Sequence, residues 1–265
     1  MADMIDSITG PREAMCDPAI VVKNLSVAYG SREILKDMSF EVARGTTLAI
    51  MGLSGVGKST TLRCMMGLQK PNRGEVFINN KNIQTMAAKD LAKLRIRIGM
   101  AFQKAALFDS MTIGENVAFG LREHTKLSED EIQRIVAEKL GIVDLEGMDH
   151  LYPSQISGGM QKRASFARTV ATDPDVVLYD EPTTGLDPII SRVINELILE
   201  LQKRLNATSV VVTHDIAGAI LVAHKILMLH EGRVVWIGPA TEFMVTDNPY
   251  IVQFREGRSQ GPIRV

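Results

Sequence analysis

The sequence is poor in cysteine, with only Cys16 and Cys64 in 265 residues. Two thiols cannot build a disulfide framework, and they read as reduced groups in a cytoplasmic protein. Neither sign of charge dominates. Thirty basic residues face 31 acidic ones, for a formal net charge of −1, so nothing global points to nucleic acid or an anionic surface. Long apolar runs are also missing. No stretch approaches the ~18–20 apolar residues that a bilayer span needs; the best, 217–229, is interrupted by His224 and Lys225. The first residues carry Asp3, Asp6 and Glu13 and no apolar run, unlike a secretory signal. Work at a membrane would then be that of a peripheral subunit. Hydrophobic residues make up 45% of the chain, enough to core one large α/β domain or two closely joined subdomains.

Residues 1–18 read as a flexible leader. Alternating apolar positions from Ile20 to Ile50, with Gly30 and Gly45 at turns, predict strands. A helix is expected from Lys58 to Met66, stopped by Gly67, and it holds Cys64 as a small buried thiol. A strand at 76–78 ends in Asn79-Asn80. From about 86 the pattern is mainly helical, with one strand-like piece, 98–102, and a capping box at Ser128–Glu131. The block 86–170 is the best candidate for an inserted helical subdomain. The β/α rhythm then returns with apolar runs at 176–179 and 209–212, suited to central parallel strands buried on both faces. An amphipathic helix lies between them, and two strands flank Glu231-Gly232. The tail, 248–265, shows no clear periodicity.

The chemistry begins at Gly52-Leu53-Ser54-Gly55-Val56-Gly57-Lys58-Ser59-Thr60. Glycines at this spacing, between an apolar strand and a helix, let backbone amides curl around phosphate, and the helix N-terminus adds partial positive charge. Lys58 would meet the β- and γ-phosphates and Ser59 would ligate Mg²⁺. Asp180, closing the strand at 176–179, suits Mg²⁺ held through water, and Glu181 suits the attacking water. His214 ends the next buried strand, where parallel sheets present ligands, and fits a γ-phosphate sensor. Gln103 follows the strand-like 98–102 and could report on Mg²⁺ and the water; taken alone it is as easily a surface glutamine. Ser157-Gly158-Gly159, followed by Lys162 and Arg163, forms a second anion-ready helix start. Two such segments cannot serve one nucleotide within one molecule, which suggests that a second copy completes the site.

This ordered set resembles the nucleotide-binding subunit of ABC transporters, from about Ile20 to Gly238. The resemblance implies an α/β fold: a P-loop NTPase domain of the ABC type at 19–247. It would have a mainly parallel core sheet, an antiparallel β subdomain and an inserted α-helical subdomain. It makes Ser157-Gly158-Gly159 the signature that meets the partner's nucleotide, Gln103 the Q-loop residue, Gly185-Leu186-Asp187 the D-loop, His214 the switch histidine and Tyr29 the aromatic that stacks on adenine. Nucleotide contacts would then come from Tyr29, Gly52, Ser54, Gly55, Val56, Gly57, Lys58, Ser59, Thr60, Ser157, Gly158, Gly159 and Asp187. Mg²⁺ would fall to Ser59, Gln103 and Asp180, and catalysis to Glu181, His214, Gln103 and Lys58. The signature departs from the common form at Ile156, for leucine, and Met160, for glutamine; both keep the volume.

A narrower resemblance rests on Met160, the segment 121–125, Asp187-Pro188 and 253–257. These look like the ATPase of Mla/MCE-type lipid transporters. It implies ATP and Mg²⁺ as ligands, a homodimer around two ATP, integral membrane permease subunits, an MCE-domain lipid-binding protein and a small STAS-type subunit as partners. It also implies a place on the cytoplasmic face of an inner membrane and a tail at 248–265 that steadies the dimer. The alternatives are an importer of amino acids or other small solutes, and a non-transport ABC protein. The second lacks support: no long coiled-coil insertion separates the two phosphate-binding segments, and one chain carries one signature.

Overall fold

The computed structural model describes residues 17–264. Residues 1–16 lie outside them, and with them Cys16 and almost all of the expected leader; so does residue 265.

Strands β1 (Ile20–Tyr29) and β2 (Arg32–Val42) form a hairpin, followed by β3 (Thr47–Met51) and helix α1 (Lys58–Met65). Next come β4 (Arg73–Ile78), β5 (Lys81–Asn82), α2 (Ala88–Ile96) and β6 (Ile98–Ala101). Three helices follow: α3 (Ile113–His124), α4 (Glu129–Ile142) and α5 (Gly158–Val170). The chain then runs through β7 (Val176–Asp180), α6 (Pro188–Leu205), β8 (Thr208–Thr213), α7 (Ile216–Val222), β9 (Lys225–His230), β10 (Arg233–Pro239) and α8 (Pro249–Glu256).

Two sheets result. One is antiparallel, in the order β2-β1-β4-β5; the other has the order β10-β9-β3-β8-β7-β6. In the second sheet β6, β7, β8, β3 and β9 are parallel neighbours, and only β10 runs antiparallel, on β9. The continuous apolar runs have a simple cause. Leu48, Ile50, Leu178, Val210 and Val212 point to the layer shared with β1, β2, β4 and α1. Their alternates Val177, Tyr179 and Val211 pack under α3–α6, and Ala49 and Met51 pack against Phe243 and Ile251. A strand covered on both faces has no solvent side to make polar.

The helical elements follow local signals. Ser128 and Glu131 form the expected box, with Ser128 N–H donating to Glu131 Oε2 at 2.8 Å. A second box, Thr112 with Glu115, starts α3 in the same way. Two readings change. The block 86–170 is not one helical unit: β6 is the edge strand of the parallel sheet, and Leu94 of α2 packs in the first core with Ile98. The tail is not aperiodic. Asn248 caps α8, Pro249 sits in its first turn and Gly257 ends it in the left-handed region at φ 63. Ile251 and Ile263 are buried against the chain's own third core, and Gln253 binds both backbone groups of Ile263, at 2.7 and 2.8 Å. Short helices that lean on tertiary contacts carry weak periodicity, which is why sequence pattern missed this one.

Candidate active site

The C-terminal ends of β3, β8, β7 and β6 lie side by side, and each delivers a side chain or loop to one edge. The loop after β3 is locked by two glycines. Gly52 has φ 152, and a Cβ there would come within 2.3 Å of the Leu229 carbonyl oxygen. Gly57 has φ 111, and a Cβ would come within 2.5 Å of Leu35 Cδ2. No other residue fits either place. The curled loop leads into α1, and Lys58, Ser59 and Thr60 of its first turn line the cleft.

Lys58 opens α1 and is only 6% exposed. Its ammonium donates to the carbonyls of Gly52 (2.8 Å) and Leu53 (3.1 Å) and lies 3.2 Å from Glu181 Oε1. Glu181 follows β7 with φ 48, a conformation costly for any residue but glycine. Its amide donates to Val212 O at 2.9 Å. Its other oxygen, Oε2, is 2.7 Å from His214 Nδ1 and accepts from Thr184 Oγ at 3.1 Å. Three groups from three segments therefore hold one carboxylate, within reach of the phosphate loop.

Asp180, the last residue of β7, accepts from Ser59 Oγ at 2.8 Å. Burial pushes its pKa above the usual aspartate range; the Ser59 bond opposes that, and the neighbouring charge of Glu181 adds to it. Serine and carboxylate oxygens side by side are the hard donors that Mg²⁺ takes. Among the described residues no group of three or more His, Cys, Asp or Glu could hold a metal by itself.

A cleft of about 430 Å³ joins these groups. Ser54, Gly55, Gly57, Lys58, Ser59 and Thr60 line it, together with Gln103, Glu181, His214 and Tyr29. Tyr29 is half-exposed and donates to Gln69 Oε1 at 3.1 Å. Gly52, Val56 and Asp180 are not on its lining; Val56 lines a second cleft that shares Arg32, Ile34, Ser54 and Gly55 with this one. Ser157, Gly158, Gly159 and Asp187 do not reach this cleft. Ser157 instead caps α5, accepting from Met160 N–H at 3.3 Å, and Asp187 caps α6, accepting from Ile189 and Ile190, each at 3.0 Å. Sequence reasoning missed Arg32, Ile34 and Thr184, all on the lining. Thr184, three residues after Glu181, was within reach of local inspection. Arg32 and Ile34 were not, since only the packing of β2 beside the phosphate loop brings them there.

Comparison with known proteins shows the family. The family model described as ABC transporter matches residues 35–184. The intermembrane phospholipid transport system ATP-binding protein MlaF of Haemophilus influenzae is 41% identical over 92% of this chain and 93% of its own length. The probable ribonucleotide transport ATP-binding protein mkl of Mycobacterium leprae is also 41% identical, over 92% of this chain and 71% of its own. Among solved structures, an ATP-binding cassette seen as a dimer in a post-hydrolysis state bound to ADP and Pi is similar at a TM-score of 0.77. It is 34% identical, with 83% of this chain and 98% of that one covered. The family match and these relatives together place the chain in the ABC transporter family, as one of its ATP-binding subunits.

Proposed function

We propose that this chain is the ATP-hydrolysing motor of a phospholipid transporter that works between two membranes. The observation that carries the reading is the complete phosphate-side site around Glu181, in a chain that shares 41% identity with nearly all of a phospholipid-system ATPase. Lys58 and the amides of 52–60 hold the triphosphate. Ser59, Asp180 and Gln103 would hold Mg²⁺, which when bound neutralises charge on the β- and γ-phosphates. Glu181 orients and polarises the attacking water, while His214 and Thr184 fix that carboxylate's position. Tyr29 offers its exposed ring to adenine.

Ser157, Gly158 and Gly159 lie off the cleft, so they serve the nucleotide of a second copy. A twofold dimer then holds two ATP, each between one copy's cleft and the other's signature. ATP favours the closed dimer, and hydrolysis removes that preference. The motion passes to integral permease subunits, with an MCE-domain lipid-binding protein and a STAS-type subunit as further partners. The tail at 248–265 adds to the dimer contact. The chain sits peripherally on the cytoplasmic face of the inner membrane; among the described residues no helix is long and apolar enough to cross it.

The composite site is tested by mixing two dead variants. Gly158 has open space around it, and an acid in the first turn suits the helix, so Gly158→Asp folds but repels a partner's phosphate. Glu181→Gln keeps its signature and loses its catalytic carboxylate. An equal mixture should recover roughly a quarter of wild-type turnover, since half the dimers are mixed and each has one sound site. No recovery rules out the shared site. The cargo is tested by purifying the complex from membranes. An MCE-domain protein and phospholipid-stimulated ATPase are expected. Stimulation by ribonucleotide instead would favour the second reading, which the equal identity to the mycobacterial relative supports.

A further inference from the structure

Lys162 and Arg168 have no role in the site as described. Both lie on α5, the helix that Ser157 caps, and both reach the same loop. Lys162 is 6% exposed, and its ammonium donates to the backbone carbonyl of Gln103. Burial pulls its pKa below the usual lysine range, and the carboxylate of Asp180 opposes that pull. Arg168 donates to the carbonyl of Ala106 at 2.5 Å and lies 4.6 Å from the centre of the Phe108 ring. Ala106 itself has φ 53. The far end of the loop is tied to α3: fully buried Asn116 accepts from Phe108 N–H at 2.7 Å and donates to the Phe108 and Met111 carbonyls. Segment 103–111 thus has its main chain pinned to α5 and α3, while Gln103 lines the nucleotide cleft.

A buried cation is costly to keep, and a neutral residue would pack here without that cost. We propose that Lys162 is a positioning residue that makes the Gln103 loop and the signature helix one mechanical piece, with Arg168 as its second fastening. The inference rests on the shared-site dimer. Gln103 serves the nucleotide of its own copy, and Ser157, five residues before Lys162, serves the partner's. A displacement at either site is passed to the other through the ammonium. The two ATP sites are coupled within one chain by this contact rather than only across the dimer interface.

The mixed dimer of Gly158→Asp and Glu181→Gln chains isolates the effect. Its one sound site takes Gln103 from the Gly158→Asp chain and the signature from the Glu181→Gln chain. Lys162→Met is added to one chain at a time. Coupling predicts that either placement lowers kcat about tenfold, with KM for ATP within about twofold, because a shift near 1 Å misaligns the reacting groups without removing a binding contact. Lys162→Gln, whose amide still donates to the carbonyl, should restore most of the rate in both placements. A loss in only one placement, a loss in neither, or a matching rise in KM overturns the proposal. If Lys162→Met fails to fold, Arg168→Met carries the same two-placement prediction. A parent mixture with no recovered turnover defeats the shared site itself, and the coupling with it.

Discussion

Two glycine motifs in this chain are proposed to meet phosphate, and their surroundings differ. The loop at 52–59 is enclosed. Gly52 and Gly57 touch backbone and side chain of other strands, Lys58 is buried, and Asp180, Glu181 and His214 converge on it from β7 and β8. The motif at 157–159 is open. Nothing lies within 4 Å of a Cβ on Gly158, and Ser157 is spent on its own helix cap. Similar glycine chemistry thus serves two ends. In the first motif glycine is required because a side chain would collide. In the second, Gly158 is free of collision and Gly159 would meet only the end of the Ile190 side chain, at 3.2 Å, so the bareness of Gly158 has value only to something that approaches from outside. An anion site that is enclosed binds by itself; one that is open is half of a contact.

The comparison makes ordered predictions. The largest effects belong to the enclosed motif. Lys58→Ala should weaken ATP binding at least about a hundredfold, since it removes the buried cation facing the phosphates; titration with a fluorescent ATP analogue checks this. Glu181→Gln should separate binding from chemistry. Affinity should stay within a few-fold while turnover drops by about a hundredfold or more, and an undiminished rate would strip Glu181 of its role. Gly52→Ala should cost stability as well, about 2 kcal/mol or more, because strain at φ 152 adds to the clash with Leu229. Urea unfolding reads this, and Gly158→Asp should show no such loss in the same experiment. If the two glycine variants destabilise equally, the enclosed–open distinction fails. Thr184→Ala removes one of the bonds that fix Glu181. Turnover should fall about tenfold or less, with ATP affinity kept. The smallest effect concerns Cys64 on α1, fully buried with its thiol pKa pushed up to about 12 by desolvation. At pH 8 it stays protonated and covered, so mass mapping should find it unalkylated in the native chain and alkylated in denaturant.

Legibility in the sequence followed the locality of the signal. The phosphate loop, the strand bearing Asp180, and the Ser128–Glu131 box each depend on residues within a few positions of each other, and each could be read directly. The Thr112–Glu115 box has the same signal but lies inside a block that reads as mainly helical, where one more helix start does not stand out. β6 was recognisable as strand-like at 98–102, but its membership of the core sheet depends on pairing with β7, some 78 residues on. The helix α8 depends on Gln253 and Ile263 meeting its own body. In the sequence Lys162 belongs to an anion-ready helix start. Only its burial against the Gln103 carbonyl showed otherwise.

By itself the sequence determined the chemistry on offer: glycines that permit the curled loop, a lysine and a serine at its end, carboxylates and a histidine each closing an apolar run. Those are properties of short segments, fixed by φ, side-chain type and strand pattern. Tertiary structure decided which of them meet. Parallel pairing of β3, β8, β7 and β6 brought Ser59, Glu181, His214 and Gln103 to one edge, and kept Ser157, Gly158 and Gly159 away from it. That outcome is long-range because strand order is set by burying both faces of the sheet at once, and no local segment contains that information.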